Sequence, residues 1–457
     1  MKNNFKFIVL SILYLVTTNS YSQGFSFLKT VTSSSSGYQA SIRAVKVDQI
    51  GNKYIAGNFD NLATIKNTTI TGNSKDIFFG KLDPLGNPIW IKTAGGTGAD
   101  QAMDIELDNQ GGLYISGLFS STAIFDGNSV TANQHSANSA SYSDNYLVKY
   151  DTSGNFQWIK TGASTKNDIN QNVNGYNNNT QNYYGRSKIK FKNGFVYLMA
   201  SNRVSSNNPF GGVGTNGRKF DGLTLPYTQA PGGGGFYGYE YINSFILKTD
   251  VNGTNSWLTP IYCNTNQDFD ALFGLDFEVN SNNHVIAQYY YSSNGCKIGG
   301  QSSPTSISSF STPSANFPRG ALMILELDGS GFYNNVYKLE NALSSFNSFF
   351  GFGNALNYLS FGLSVDNLDN VYFAFNNYLN DNFNQIIAGI NIPENTNTLV
   401  KLNSNFVPTN CNLLNTFPSQ SQNSFPISAL EIKQDQLVFG GKLDGTINLD
   451  NNTFSRS

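Results

Sequence analysis

The feature that most constrains the fold of this chain is an internal repeat. Residues 44–57 align with residues 104–117, which places Asp48 opposite Asp108 and Gly57 opposite Gly117, 60 residues apart in each case. Residues 76–93 align with residues 144–161 in the same way, at an offset of 68. Self-similarity at such a spacing is typical of proteins built by stacking one supersecondary unit on the next.

Each unit contains four short strand patterns. Strand one alternates apolar and polar residues, strand two reads Tyr-Ile-x-Gly, strand three ends in Lys-Leu-Asp or a variant, and strand four reads Trp-Ile-Lys-Thr. The turns between strands one and two and between strands three and four carry Asp followed three residues later by Gly. Asp can cap its own backbone and Gly supplies a positive φ. We therefore interpret Asp48, Asp83, Asp108 and Asp151 as turn residues rather than acids or ligands.

The unit recurs along the chain, and the sequence of the later copies is less similar to that of the first two. Strand three reappears at residues 242–250, 321–328 and 398–403, and strands one and two reappear at 189–199, 275–287, 363–374 and 430–440. Strand four is marked by Trp90, Trp158 and Trp257 in three units and by Val336 and Tyr337 in the fourth. The repeated tryptophans are predicted to be at least largely buried between adjacent units, as packing residues.

Five complete units and a partial sixth predict an all-β chain, and specifically a β-propeller of four-stranded antiparallel blades. The alternative is a string of small β-sandwich domains. That alternative is disfavoured because units of roughly 60–99 residues, with few linkers, are short for sandwiches of about 100 residues.

The motifs carry a resemblance to a known family. The patterns Asp-x-x-Gly-Asn-x-Tyr-Ile-x-Gly, Asp-x-Phe-x-x-Lys-Leu-Asp and Gly-Asn-x-x-Trp-x-Lys resemble the bacterial β-propeller repeat family, whose members are often exported proteins of bacteria with type IX secretion. The resemblance is close over residues 44–100 and 104–167 and weaker afterwards. It implies a fold and export, and no shared activity that could be transferred.

The first 22 residues have the layout of a secretory signal peptide. Lys2 and Lys6 precede an apolar run at residues 7–16, and small Ser20 and Ser22 fit cleavage before Gln23. Ten apolar residues are too few to cross a bilayer, which takes about 20 in a helix. We expect residues 23–457 to form the propeller repeat domain, secreted or at the cell surface, with no membrane span.

The chain ends suggest how the ring closes. Residues 25–30 match residues 156–161, so the mature protein is expected to start with an isolated strand four. The sixth unit would then be split between the two ends of the chain, which leaves no open sheet edge. Residues 451–457 resemble the start of residues 66–74, which precede strand three of the first unit. We therefore expect a truncated sequence, six blades as a minimum, and a longer surface or secreted protein.

Charge and cysteine content exclude some functions. The net charge is −2, charged residues make up 13% of the chain, and there is no basic run, so nucleic-acid binding is not expected. The three cysteines, Cys263, Cys296 and Cys411, cannot form a disulfide framework. A Cys263–Cys296 bridge stays open, but buried thiols that behave as small hydrophobes are the favoured interpretation.

Catalytic and cofactor motifs give no site. His135 and His284 are the only histidines, and the usual zinc and serine-nucleophile motifs are missing from the sequence. Residues 212–217 match a dinucleotide fingerprint without a following helix pattern. Residues 95–100 match one copy of a calcium-binding nonapeptide, whose ion sites need several stacked copies, so a loop between units is the better interpretation. We predict no cofactor, no metal and no enzyme activity.

The remaining functions are those of an extracellular binding, adhesion or scaffold module, with an unidentified glycan or protein as partner. The alternatives are a propeller-type hydrolase or lyase acting on extracellular polysaccharide, and a structural spacer. A hydrolase or lyase would need carboxylates that converge with a Tyr, Arg or His.

The predicted binding site lies in insertions between strands two and three. These occupy residues 120–143, 202–241, 292–320 and 376–397, and equivalent connections of a propeller emerge on one face. The longest insertion contains the candidate ligand-binding residues Phe236, Tyr237, Tyr239 and Tyr241. Aromatic rings with hydroxyls suit stacking on sugars or on a protein partner. The alternative is that they anchor the loop onto the propeller, since aromatic side chains more often pack.

Overall fold

The chain is an all-β protein. The computed structural model describes residues 31–33, 40–108, 110–131, 143–163, 187–205, 218–225, 240–263, 271–292, 295–299, 305–308, 320–343, 361–377, 385–393, 396–416, 427–433, 436–441, 446–449 and 452–455. These residues form strands and turns and contain no helix, so no helix in them could span a membrane. The described pairings are antiparallel, apart from one parallel contact between Ile242 and Ala271.

The strands follow the predicted units in order. An initial strand β1 (Val31–Ser33) precedes unit 1, which contains β2 (Ala40–Val47), β3 (Lys53–Ile65), β4 (Thr68–Leu82) and β5 (Pro88–Gly96). Unit 2 contains β6 (Gln101–Leu107), β7 (Gly112–Ser120), β8 (Thr122–Phe125), β9 (Asn128–Thr131), β10 (Ser143–Asp151) and β11 (Phe156–Ala163). Unit 3 contains β12 (Ser187–Lys192), β13 (Phe195–Ser205), β14 (Arg218–Phe220), β15 (Leu223–Leu225), β16 (Glu240–Asp250) and β17 (Asn255–Cys263).

The later units repeat this arrangement. Unit 4 contains β18 (Ala271–Val279), β19 (Val285–Ser292), β20 (Gly295–Ile298), β21 (Thr305–Ser308), β22 (Gly320–Leu327) and β23 (Tyr333–Leu343). Unit 5 contains β24 (Leu363–Val365), β25 (Val371–Asn377), β26 (Gln385–Ile387), β27 (Ile390–Ile392), β28 (Thr396–Leu402) and β29 (Pro408–Thr416). Unit 6 contains β30 (Ile427–Lys433), β31 (Gln436–Gly441), β32 (Thr446–Leu449) and β33 (Asn452–Ser455).

Four strands of each of the first five units are hydrogen-bonded side by side in chain order, which confirms the four-strand pattern. The neighbouring strands are β2-β3-β4-β5, β6-β7-β10-β11, β12-β13-β16-β17, β18-β19-β22-β23 and β24-β25-β28-β29. In unit 6 the described pairs are β30 with β31 and β32 with β33.

The Asp-x-x-Gly turns are capped as predicted. One carboxylate oxygen of Asp48 accepts the N–H groups of Ile50 at 3.2 Å and Asn52 at 2.8 Å, and Gly51 adopts a φ of +89°. The same pattern recurs at the equivalent turns, whose capping residues are Asp83, Asp108, Asp151, Asp250, Asn280, Asp328, Asp366 and Asn403. The turn role predicted for Asp48, Asp83, Asp108 and Asp151 is confirmed.

A short hairpin lies between strands two and three, and it pairs outside its own unit. The hairpin β8–β9 pairs with β5 of unit 1, β14–β15 with β11 of unit 2, and β20–β21 with β17 of unit 3. In unit 1 the hairpin continues from β3 and β4. Strand four of each of these preceding units is thereby covered by an added strand, which protects a sheet edge.

The initial strand β1 takes the position of a strand four. Val31 lies opposite Ile65 in the unit 1 hairpin, just as Ala94 of β5 lies opposite Phe125 in the unit 2 hairpin. The strand β1 directly follows residues 25–30, which match strand four in sequence, and its pairing is that of the residues that follow this match in β5. Residues 25–30 themselves lie outside the described residues, as does the predicted signal peptide.

Four of the five hydrophobic clusters among the described residues join neighbouring units, and the fifth lies within unit 1. Ile105 of strand one in unit 2 is fully buried and belongs to the same cluster as Tyr54 and Phe79 of unit 1. Ile189, Phe277 and Leu363 pack in the same way against units 2, 3 and 4. Burial of one such side chain contributes about 1.5–3 kcal/mol, so each interface between units is a main source of stability.

The tryptophans lie at these junctions, as predicted, but are half-buried. The indole N–H of Trp90 donates to the Thr152 carbonyl at 3.2 Å, in the turn between strands three and four of the next unit. Trp158 and Trp257 donate to the equivalent carbonyls of Val251 at 3.2 Å and Gly329 at 3.0 Å. The edge of each indole stays open to solvent because it covers a surface turn.

The predicted marker of strand four in unit 4 is confirmed, since Val336 and Tyr337 lie in β23. The tryptophan position itself is occupied by a polar residue. Trp257 lies opposite Lys248, and the residue at this position in unit 4 is Asn335, which lies opposite Glu326.

Two of the cysteines are buried free thiols, as favoured from the sequence. Cys296 and Cys411 are buried and unpaired, and the Cys296 thiol contacts the Met323 sulfur at 3.9 Å. Burial raises the pKa of the Cys296 thiol to about 12 and that of Cys411 to about 11. Cys263 lies directly opposite Cys296 across β17 and β20, but the bridge left open by the sequence is not formed.

Candidate functional site

The two ends of the sheets differ in their connections. Because neighbouring strands are antiparallel, the turns from strand one to two and from strand three to four lie at one end, which we call the turn end. The connections from strand two to three, and from strand four to the next unit, lie at the other, which we call the insertion end. Lys46 and Glu106 occupy the same repeat position and form an ion pair at 2.8 Å. Units 1 and 2 therefore lie side by side, with their turn ends on the same side.

Of the four candidate ligand-binding residues, one lies in a described strand. Tyr241 belongs to β16, where its backbone lies opposite Val204 of β13. Tyr241 is therefore a strand residue at the base of the insertion rather than a loop residue. Phe236, Tyr237 and Tyr239 lie outside the described residues.

The same insertion is fixed to the preceding unit by its hairpin β14–β15. Phe220 is buried and its ring centroid lies 5.0 Å from that of Phe245. Asp221, at the tip of the hairpin, forms an ion pair with Lys160 of unit 2. The insertion that contains the predicted aromatic residues thus starts from a rigid base.

A line of alternating charges runs along the first strands of units 1 to 4. Lys46 pairs with Glu106 of the next unit, Lys190 pairs with Glu278, and these four residues share one repeat position. Sequence analysis missed this line of charges. The signal was present, because the charge of the side chain at this repeat position alternates between positive and negative in successive units.

These charges compensate one another. Burial raises the pKa of Glu106, and the nearby Lys46 opposes that shift. Burial disfavours the charged form of Lys190, yet Glu278 and Asp276 together hold its pKa above the ordinary value. The pairs therefore join neighbouring units through opposite charges.

Carboxylates two residues earlier in the first strands bind backbone. Asp104 accepts the Ile189 N–H at 2.9 Å, and Asp276 accepts the Leu363 N–H at 3.2 Å. Both N–H groups belong to the edge strand of the following unit, which would otherwise be left unpaired. These side chains join units, and their arrangement supports packing rather than catalysis.

The remaining titratable groups are dispersed. His284 contacts Glu326 at 2.9 Å beside a turn, while His135 lies outside the described residues. Within the parts of the chain that are described, no group of three or more His, Cys, Asp and Glu side chains is placed to hold a metal ion.

No protein-family model matches the chain, and no curated protein matches it significantly.

Proposed function

We propose that the chain is a β-propeller of an exported bacterial protein, which binds an extracellular glycan or protein through its insertion end. The repeat of four-stranded sheets, with strand one of each unit beside strand one of the next, supports radial packing. The signal-peptide pattern of residues 1–22 supports export.

One exposed residue supports closure of the ring. Val45 of β2 is 50% exposed. The same repeat position is buried against the preceding unit in Ile105, Ile189, Phe277, Leu363 and Leu430. The face of β2 that carries Val45 is therefore suited to packing against another unit, and in a closed ring of six that is unit 6.

Chemical cross-linking tests this closure. In a Cys263→Ser background, a short bis-maleimide is expected to join Lys46→Cys to Glu431→Cys, because both occupy the same position of strand one. The control pair is Lys46→Cys with Glu106→Cys, whose native side chains are 2.8 Å apart. Cross-linking of the control pair alone, measured by mass spectrometry of peptides, would show that units 6 and 1 are not neighbours.

The difference between the two ends carries the binding proposal. The turn end has short capped turns in successive units, whereas the insertion end has connections of different length and composition, fixed by hairpins to the preceding unit. Variable loops on a rigid scaffold are where proteins most often bind. Phe236, Tyr237, Tyr239 and Tyr241 are the residues that we assign to this contact, with stacking as the means.

A triple substitution tests the site. Phe236→Ala/Tyr237→Ala/Tyr239→Ala is expected to reduce binding to a glycan array or to intact cells at least tenfold, through the loss of stacking contacts. The matched control is Leu85→Ala/Phe332→Ala/Leu368→Ala, since these side chains are 72%, 71% and 78% exposed in turns of the turn end. Equal binding by the two folded variants would remove the aromatic loop as the site.

The same assay separates binding from catalysis. Release of reducing or unsaturated sugar ends from a bound polysaccharide would favour the hydrolase or lyase alternative. Binding without release would support a module that only binds.

A further inference from the structure

Two carboxylates that have no role in the proposed binding site lie close together where unit 1 meets unit 2. Asp76 is at the start of strand three in β4, and Asp100 ends the loop between β5 and β6. Asp100 is fully buried and accepts the N–H groups of Gly96 at 2.9 Å and Ser120 at 3.0 Å. Asp76 is 5% exposed and accepts the Asn73 N–H at 2.9 Å through Oδ2.

The other oxygen of Asp76 has no partner. Its Oδ1 is buried and makes no hydrogen bond. A carbon atom placed at the Cβ position of Gly95 would lie 2.2 Å from Asp76 Oδ1 and 2.9 Å from Asp100 Oδ2. The two oxygens are therefore within about 5 Å of each other, at a point that a side chain on residue 95 would fill.

Backbone N–H groups are the donors that face this pair, and no described basic side chain neutralises it. Neither carboxylate forms an ion pair with a described basic side chain. A buried carboxylate without a partner is costly, and two that face each other repel, so such a pair holds either a proton or a cation.

We propose that Asp76 and Asp100 bind a hard divalent cation, Ca²⁺ or Mg²⁺, at the junction of units 1 and 2. Carboxylate and carbonyl oxygens are the ligands that these ions prefer. With at most about 5 Å between the two oxygens, one ion can contact both at the Ca²⁺–oxygen distance of 2.3–2.6 Å. Main-chain carbonyls and water would complete the six to eight ligands of Ca²⁺.

The backbone that covers the pair packs closely against it and lies near the surface. Gly72 also comes close to the site, since a Cβ there would lie 2.1 Å from Asp76 Oδ2. Asn73 is exposed, so the segment that covers the pair is at the surface. Residues 95–100 match a single copy of a calcium-binding nonapeptide and contribute Asp100. The second carboxylate of the proposed site, Asp76, comes from strand three and not from another copy of the motif.

The test is the melting temperature of the full chain at pH 8, in chelator and in 5 mM Ca²⁺ or Mg²⁺. We expect a rise of about 3 °C or more when the ion is present at a hundred times its Kd. Asp76→Asn is expected to lose the response to the ion and to be at least as stable as the wild type in chelator, because it removes one of two repelling charges. Isothermal titration of the wild type with each ion measures binding directly.

Asp126→Asn is the matched control. Asp126 is a partly exposed carboxylate paired with Lys92 at 3.1 Å, and Asn tolerates its positive φ of 51°. This variant should respond to the ion as the wild type does. An unchanged melting temperature with either ion at pH 8, together with no heat of binding, would overturn the proposal and leave a shared proton as the explanation. A full response by Asp76→Asn would also overturn it.

Discussion

Replacement of Trp158 by alanine is expected to lower the free energy of unfolding by about 3 kcal/mol, at the lower end of the range for buried tryptophans because this ring is half-buried. The indole covers the turn of the next unit, where a carbon added to Gly253 would lie 3.3 Å from the ring, and it donates to the Val251 carbonyl. Its ring also contacts Tyr114 at a centroid distance of 6.0 Å. Urea unfolding followed by circular dichroism measures the change.

Two further variants separate the contribution of the ring contact from that of the hydrogen bond and from the loss of any aromatic ring. Trp158→Phe keeps most of the ring contact and loses the hydrogen bond, so it should cost about 1 kcal/mol. Phe332→Ala removes an aromatic ring that is 71% exposed and should change the stability by less than about 0.5 kcal/mol. If Trp158→Ala left stability unchanged and abolished binding to glycan or cells, the tryptophan would be a ligand platform.

Asp108→Ala is expected to cost about 3 kcal/mol, which is more than the loss of an ordinary turn cap. Asp108 is buried, and besides the backbone N–H of Gln110 it accepts the hydroxyl of the fully buried Tyr114 at 2.8 Å. Lys149 lies 3.9 Å from the same oxygen. The alanine variant would leave the buried Tyr114 hydroxyl without its acceptor. It would also remove the nearby opposite charge from Lys149, whose ammonium still donates to the Val251 carbonyl at 2.8 Å.

The same motif in a more exposed setting provides the comparison. Asp151 caps the equivalent turn between strands three and four, through the N–H groups of Ser153 and Asn155 and the Asn155 amide. These partners can bond to water instead, so Asp151→Ala should cost about 1 kcal/mol. Equal losses for the two variants, measured by chemical unfolding, would show that the buried tyrosine and lysine add nothing to the effect.

Much of the strand order could be predicted from the sequence because each unit repeats its turns. Asp48 and Asp108, and likewise Asp83 and Asp151, recur in the same local context, so their capping role followed from position. The alignment of residues 25–30 also agrees with the register of β1. Side chains at a repeated position were harder to assign where the residue type changes, as at Asn335.

The hairpins inside the insertions were missed, and their signal was present. Asp126-Gly127 and Asp221-Gly222 are two-residue turns with positive φ at both positions, the pattern most typical of a tight hairpin. The strands beside them are short, three or four residues each, and their partner strands belong to another unit. A pattern confined to one repeat cannot reveal such pairing. Similarly, Asp76 and Asp100 are 24 residues apart in the chain, and only the fold brings them together.

In units 2, 3 and 4, the pairing of the hairpin with strand four of the preceding unit has a consequence for how the chain can be divided. A segment cut at the sheet boundary, such as residues 101–163, would carry a hairpin without its partner strand and a strand four without its cover. A segment that could be moved or duplicated would therefore have to keep each strand four together with the hairpin of the following unit. Its boundaries would differ from those of the sequence repeat. While the chain folds, the earlier unit would stay incomplete until the hairpin of the next unit is available to pair with it, so the order in which units become available is part of the folding pathway.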